Sequence, residues 1–219
     1  MSGSFSNLSI FCLISIITIM EKDIYGLVLA AGLSSRMGRT KQLLPFGHKT
    51  ILQTVVDVLM KLSLTRIVVV LGHEAPKVRE SLADRNVICC FNKDYVEGMF
   101  SSVLVGLDEI PSTADAVLIS LGDQPHIEES VGRAVLDAYL ADEAGIVIPS
   151  WNGNRGHPVA IDLRRYRTEI MSMDRTEGLK PFMRGHAGDT LELPVGDSGI
   201  LRDLDTPDQY LAELKKFER

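Results

Sequence analysis

Short apolar runs alternate with helix-period segments along nearly the whole chain, and this alternation limits the fold more than any other feature. Ile24–Ala30, Arg66–Leu71, Val87–Phe91 and Ala116–Leu121 carry no regular polar alternation, as expected of strands buried on both faces of a parallel sheet. Between them, Thr50–Lys61 places Ile51, Leu52, Val55, Val58 and Leu59 on one helical face, Pro76–Leu82 suits a short helix, and Gly98-Met99 opens a third. Further on, Glu128–Ala141 has helical spacing, Gly145–Pro149 and Val159–Asp162 read as strands, and Leu163–Arg184 as two helical pieces. Thr190–Val195 is a last strand, and a closing helix begins at Pro207 behind Thr206 as N-cap. The expected class is α/β: a three-layer, Rossmann-like, mostly parallel sheet with helices on both faces.

A chain of 219 residues, 45% hydrophobic, is long enough for one sizeable core, and one domain over 24–219 is expected. A formal net charge of −6 argues against bulk nucleic-acid binding, so any cationic site must be local. Cys89 and Cys90 are adjacent and Cys12 stands alone, which gives neither a disulfide framework nor a metal-ligand spacing and suits a cytoplasmic protein. Residues 1–23 read as an apolar extension outside the fold. Ile10–Met20 is shorter than the roughly 18 residues a membrane span needs, so no membrane association is expected. Met1–Ser9 lacks the basic residues of a secretory signal, and Met20 offers an alternative start.

The first strand breaks at Ala31-Gly32 into a polar loop, at the strand end where open α/β sheets bind ligands. Gly32 and Gly38 permit positive φ and close backbone approach to an anion, Ser34 and Ser35 add hydroxyls, and Arg36 and Lys41 add two cations. That set specifies a polyphosphate. It is not a dinucleotide fingerprint, because no third glycine is in register, and Gly47-His48-Lys49-Thr50 fails as a P-loop because His48 breaks the order. Ser101 and Ser102 lie at a helix N-terminus, where they serve either as caps or as anion contacts. Asp123 follows the Ala116–Leu121 strand, a place for a turn former or for a Mg²⁺ ligand facing the same crevice as the first loop. Ser150–Pro158 reads as a polar substrate loop in which Arg155 pairs with a phosphate and His157 hydrogen-bonds a substrate edge; Trp151 either stacks on a flat ring or packs. Asp203 and Asp205 are equally turn residues before the last helix or groups near the substrate phosphate and the metal.

The stretch LAAGLSSRMGRTKQLLP at Leu29–Pro45 resembles the signature of nucleotidyltransferases with a GT-A-like fold, and specifically the molybdenum cofactor cytidylyltransferase group. NKDYVEGMFSSV from Asn92, LGDQP from Leu121, NRGHPV from Asn154 and RDLDTPDQY from Arg202 follow in the same order, so the resemblance covers nearly everything from Ile24 onward. It implies transfer of CMP from CTP to molybdenum-bearing molybdopterin, with Mg²⁺ and release of pyrophosphate, in the maturation of molybdenum hydroxylases; a hydroxylase or its chaperone is then a partner. The resemblance implies a nucleotide site of Leu29, Ala30, Ala31, Gly32, Ser34, Ser35, Arg36, Gly38, Lys41, Asn92, Ser101 and Ser102. Arg36, Lys41 and Asp123 are the expected catalytic residues, Asp123 and Asp205 the metal ligands, and Gln124, Pro125, Arg155, Gly156, His157, Pro158 and Asp203 the acceptor contacts. Guanylyltransferase relatives carry a glycine where this chain has Ala31, whose methyl leaves less room for a purine and favours CTP. The rivals are a guanylyl or a sugar- or alcohol-phosphate nucleotidyltransferase, and a non-catalytic carrier of the molybdenum cofactor.

Overall fold

A computed structural model describes residues 22–217 apart from 142 and 177. The apolar Ile10–Met20 run lies outside the described residues. Lys22 and Asp23 are tied to the fold: the Lys22 ammonium lies 4.1 Å from the centre of the Tyr139 ring, and the Asp23 N–H donates to Asp115 at 2.7 Å.

The core strand is β1 (Ile24–Ala30), with β4 (Arg66–Leu71) and β6 (Ala116–Leu121) parallel to it on either side and β5 (Ile88–Phe91) parallel to β4 at one edge. Beyond β6 the sheet continues through β9 (Val159–Asp162), β7 (Ile146–Trp151) and β10 (Thr190–Pro194). β9 runs antiparallel to both β6 and β7, so the sheet is mostly parallel, as expected, with β9 reversed near its middle.

Alternate residues of each strand feed two cores. Tyr25 and Leu27 face α3 (Met99–Glu109), α5 (Leu163–Ser172) and α6 (Lys180–Gly185), through Phe100, Val103, Leu107, Tyr166 and Phe182. Ile24, Val28 and Ala30 face α1 (Ile51–Leu59), α2 (Ala75–Ser81) and α4 (Glu129–Ala141), through Leu52, Val55, Val78, Val135 and Tyr139. Burial on both faces is why these strands read as continuous apolar runs. α1 starts where the sequence predicts, because Thr50 and Gln53 form a reciprocal capping box. The closing helix α7 (Pro207–Phe217) likewise begins behind Thr206, whose hydroxyl accepts from the Gln209 N–H at 3.3 Å.

Two segments differ from the sequence expectation. Gly47-His48 is the tip of a small hairpin joining β2 (Pro45–Phe46) to β3 (Lys49–Thr50), and a strand of two residues leaves no periodic signal. Ser150–Pro158 is not an irregular loop: β7 runs on to Trp151, turns at Asn152-Gly153 and returns as β8 (Asn154–Arg155). Asn152 and Gly153 both have positive φ, 48° and 77°, the two-residue turn that matches strand twist. Trp151 packs against Ile127, Val131 and Ile200.

Gly106 lies where α3 meets β1. A Cβ there would stand 2.3 Å from Leu27 Cδ1 and 3.0 Å from Val70 Cγ2, and Leu27 is fully buried. Gly106→Ala gains about 1 kcal/mol of helix propensity but loses about 1–3 kcal/mol to overpacking, so we expect net destabilisation. A denaturation midpoint equal to or above that of the parent chain would show that Leu27 yields.

Candidate active site

The site is built where β1 and β6 end together. Leu29 is in register with Leu121, and the Gly122 N–H donates to the Leu29 carbonyl at 2.9 Å, so the loop after β1 and the turn after β6 leave the sheet side by side. Gly122 permits this closeness: a Cβ there would be 3.0 Å from that of Ala30.

The loop after β1 is wound by Ser34 and Gly38, with φ of 53° and 61°; Gly32 does not adopt the positive φ expected of it. Space around the Gly32 Cα is open, with nothing within 4 Å of a Cβ placed there, so its backbone can be approached closely. Ser34 is buried and its Oγ accepts from the Lys41 N–H at 3.1 Å. Gln42 fastens the loop to the sheet by donating to the Ala30 carbonyl at 3.1 Å, and the Thr40 hydroxyl donates to Glu74 in the turn before α2. Lys41 is thereby held at the head of a short 3-10 turn, Lys41–Leu43.

The Lys41 ammonium lies 2.6 Å from Asp123 Oδ2 and 2.9 Å from Asp205 Oδ1, and the Arg36 guanidinium lies 2.8 Å from Asp205 Oδ2. Residues 82 and 164 positions from Lys41 thus meet at one nitrogen. Burial works against the ammonium, but the two carboxylates outweigh it and raise the Lys41 pKa above its ordinary 10.5. The Lys41 hydrogen bond, opposed by partial burial, holds Asp205 below the usual carboxylate value. Burial raises Asp203; the hydrogen bond from Gln124 offsets part of this, and neighbouring Asp123 and Asp205 add to it.

A cleft of about 340 Å³ opens over this cluster, and its wall includes Leu29, Ala31, Gly32, Ser34, Ser35, Arg36, Lys41, Ser102, Asp123 and Asp205 from the sequence-derived set. Leu33, Gln42, Tyr95, Val96, Gly98, Met99 and Leu121 complete it. The sequence did not single these out; the one available signal was their neighbourhood to Gly32, to Asp123 and to the opening of α3. Asn92 is fully buried and donates to Ser101 at 2.8 Å and to Ser102 at 3.0 Å. Asn92 and Ser101 therefore brace the start of α3 while Ser102 reaches the cleft.

The acceptor candidates divide. Gln124 is 3% exposed; its amide donates to Asp203 at 2.6 Å and to the Ile200 carbonyl at 3.4 Å, anchoring the segment that delivers Asp205. Gly156 is buried against that same segment, where a Cβ would stand 2.4 Å from the Ile200 carbonyl oxygen. Pro158, joined to His157 by a cis peptide bond, lines a small void under α1. Pro125 forms the turn that leaves β6. Arg155, Gly156 and His157 line a second pocket of about 740 Å³, which shares Gly98 and Met99 with the first. Its floor is apolar, with Phe100, Ile148, Ile161 and Met183, and its rim carries Arg155, Arg175, Lys180 and Arg184.

Carboxylates from two separate segments aimed at one ammonium form a donor set that suits a hard divalent cation such as Mg²⁺, and Lys41 already stands in for a cation between them. Among the described residues no group of three or more His, Cys, Asp or Glu side chains is disposed to hold a metal, so phosphate oxygens or water would complete the shell. No helix among the described residues is long and apolar enough to cross a membrane.

Residues 26–191 match the MobA-like NTP transferase domain. The chain belongs to that family. It is 26% identical over 192 residues to molybdenum cofactor cytidylyltransferase of Escherichia coli K12, covering 87% of this chain and 95% of that protein. It is 28% identical over 197 residues to nicotine blue oxidoreductase of Paenarthrobacter nicotinovorans, covering 84% and 93%. The crystal structure of Rv0371c from Mycobacterium tuberculosis H37Rv superposes with a TM-score of 0.79 at 29% identity over 89% of this chain and 98% of that one. A complex of that protein with manganese gives 0.72 at 28% identity, over 89% and 99%. The family places the chain among nucleotidyltransferases, with the MobA-like mostly parallel sheet described above.

Burial pushes the His157 imidazole down from its ordinary 6.5 to about 4, against the opposing pull of Asp123. Its neutral form is favoured in the fold, so its contribution to stability is fully present above pH 6.5 and is lost as pH falls toward 4. His157→Gln should therefore flatten the rise of unfolding free energy across that interval; an unchanged slope would assign the acid sensitivity to other groups.

Proposed function

We propose that the chain transfers CMP from CTP to the phosphate of molybdenum-bearing molybdopterin and releases pyrophosphate, with Asp123 and Asp205 as ligands of a divalent metal. The observation that carries this reading is the meeting of Lys41, Asp123 and Asp205 at the mouth of the loop after β1. The molybdenum cofactor cytidylyltransferase relative, aligned over most of both chains, supports the choice of reaction, and the manganese complex of the Mycobacterium tuberculosis relative supports a divalent metal.

In this reading the triphosphate lies along the Gly32–Gly38 loop, with Arg36 and Lys41 as its cations. The acceptor phosphate is already anionic, so no paired base is required to activate it. One of its oxygens attacks the α-phosphorus of CTP, the bond from that phosphorus to the bridging oxygen breaks, and the electron pair leaves with pyrophosphate. Lys41 neutralises charge gathering on the leaving group, its side chain reaching there from a backbone position that hydrogen bonds to Ser34 and Leu44 hold in place. A divalent metal, when bound, supplies further neutralisation across the phosphates. The acceptor's ring system takes the apolar second pocket, where Lys180 and Arg184 on one face of α6 have no acidic partner among the described residues. Gln124 serves this reading from behind, by seating the segment that brings Asp205, and Gly156 packs against that segment while lining the second pocket. One domain over 24–219 and a cytoplasmic setting accompany the proposal.

The nicotine blue oxidoreductase relative is also matched over most of both chains. The paired carboxylates on Lys41 favour phosphoryl chemistry here, since they provide what a triphosphate and its metal require. Ala31 is buried in the cleft wall, and its methyl favours cytosine over a purine by about 1–3 kcal/mol.

Asp123→Asn should lower kcat by roughly two to three decades while the KM for CTP changes much less. Pyrophosphate release from CTP, molybdenum-loaded molybdopterin and Mg²⁺ is the assay. Unchanged turnover would remove Asp123 from the mechanism, and no release with a competent acceptor would favour a carrier. With equal CTP and GTP in competition, CMP transfer should dominate; a GTP preference would overturn the role of Ala31.

A further inference from the structure

The free protein already holds a cation where a divalent ion would have to stand. Of the four oxygens of Asp123 and Asp205, Lys41 takes Asp123 Oδ2 and Asp205 Oδ1, and Arg36 takes Asp205 Oδ2. Only Asp123 Oδ1 faces no cation among these contacts. The Lys41 side chain is 10% exposed, and its backbone is pinned by hydrogen bonds to Ser34 and Leu44, so only its side chain can swing.

We propose that Lys41, assisted by Arg36, keeps free divalent metal off Asp123 and Asp205 until a nucleoside triphosphate draws both cations onto its phosphates. Metal then enters with the nucleotide or after it. The inference rests on the reading of the cleft as a triphosphate site with these two aspartates as metal ligands, and it adds an order of binding. A tethered ammonium competes at a high effective concentration with a free ion that must also shed tightly held water. Expelling Lys41 without offering it another anion would strand a largely buried charge, which is strongly unfavourable. A triphosphate on the adjacent loop removes that penalty, because each cation and each carboxylate exchanges one opposite charge for another. The arrangement also shields the carboxylates from free transition ions that bind such oxygens more tightly than Mg²⁺ does.

The test is Mn²⁺ binding to the full chain, read from the electron paramagnetic resonance signal of free Mn²⁺. It is run without nucleotide and then with a CTP analogue carrying a methylene bridge between the α- and β-phosphorus. The parent chain should bind Mn²⁺ weakly alone and at least about tenfold more tightly with the analogue. Lys41→Met should bind Mn²⁺ at least about tenfold more tightly than the parent without nucleotide, and gain less from the analogue. Lys41→Arg, which keeps the charge, should stay weak. Equal or weaker nucleotide-free binding by Lys41→Met, with cooperative thermal unfolding retained, overturns the proposal. If Lys41→Met does not fold, Arg36→Met frees Asp205 Oδ2 from an exposed partner and should shift affinity in the same direction; no shift there overturns it too. Adding Asp123→Asn to Lys41→Met should abolish the gain. A gain that survives puts the ion elsewhere and defeats the metal-ligand reading, whereas loss of analogue-dependent Mn²⁺ binding in Asp123→Asn alone, with no gain in Lys41→Met, defeats only the order of binding.

Discussion

The parallel pairing of β1 with β6 is the constraint on which the rest of the molecule depends. Its register sets Leu29 opposite Leu121, and one hydrogen bond from Gly122 to the Leu29 carbonyl brings the two strand exits together. A cationic loop and a carboxylate far apart in the chain are thereby presented to the same space. Helices on both faces make this register robust, because each strand is buried on both sides and slippage by one residue would exchange its two sets of side chains. The chemistry at the exits can therefore be polar, open and partly strained without loosening the sheet.

Cohesion of the site comes from an exchangeable set of charges rather than from packing. Lys41 is more buried than either aspartate it touches, with 10% of its side chain exposed against 23% and 30%. Removing one member would leave the others desolvated without compensation, which is costly, while the intact set gains little net stability over an apolar replacement. Such a set is weak evidence for stability and stronger evidence for a ligand that carries opposite charges of its own.

The elements legible in the sequence were those with a single dominant cause. β1, β4, β6 and β9 have the bounds that the sequence predicts, because burial on both faces leaves an unbroken apolar run. β2 and β3 were not legible, since two-residue strands depend on a tertiary partner for their existence. The β7–β8 hairpin had a local signal in Asn152-Gly153 that polar composition outweighed. Within the site, Lys41, Arg36 and Asp123 could be proposed from charge and position at strand ends. Asp205 stayed ambiguous because a turn before Thr206 explains it equally well, and only the contact with Lys41 separates the two uses. Gln124 reads as an acceptor contact because it shares a motif with Asp123, yet its side-chain amide donates to the Ile200 carbonyl and to Asp203. Sequence proximity to a functional residue does not determine which way a neighbour points.

Asp205 comes from a segment that follows every strand in the chain, 164 positions beyond Lys41. During synthesis, a nascent chain that has completed the sheet would still expose Asp123 and a loose Lys41 side chain without the second carboxylate. The charge cluster around Lys41 therefore cannot close until residue 205 is in place, however early the pairing of β1 with β6 forms. A chain cut before residue 205 would keep the sequence of every strand yet lack the second carboxylate on Lys41.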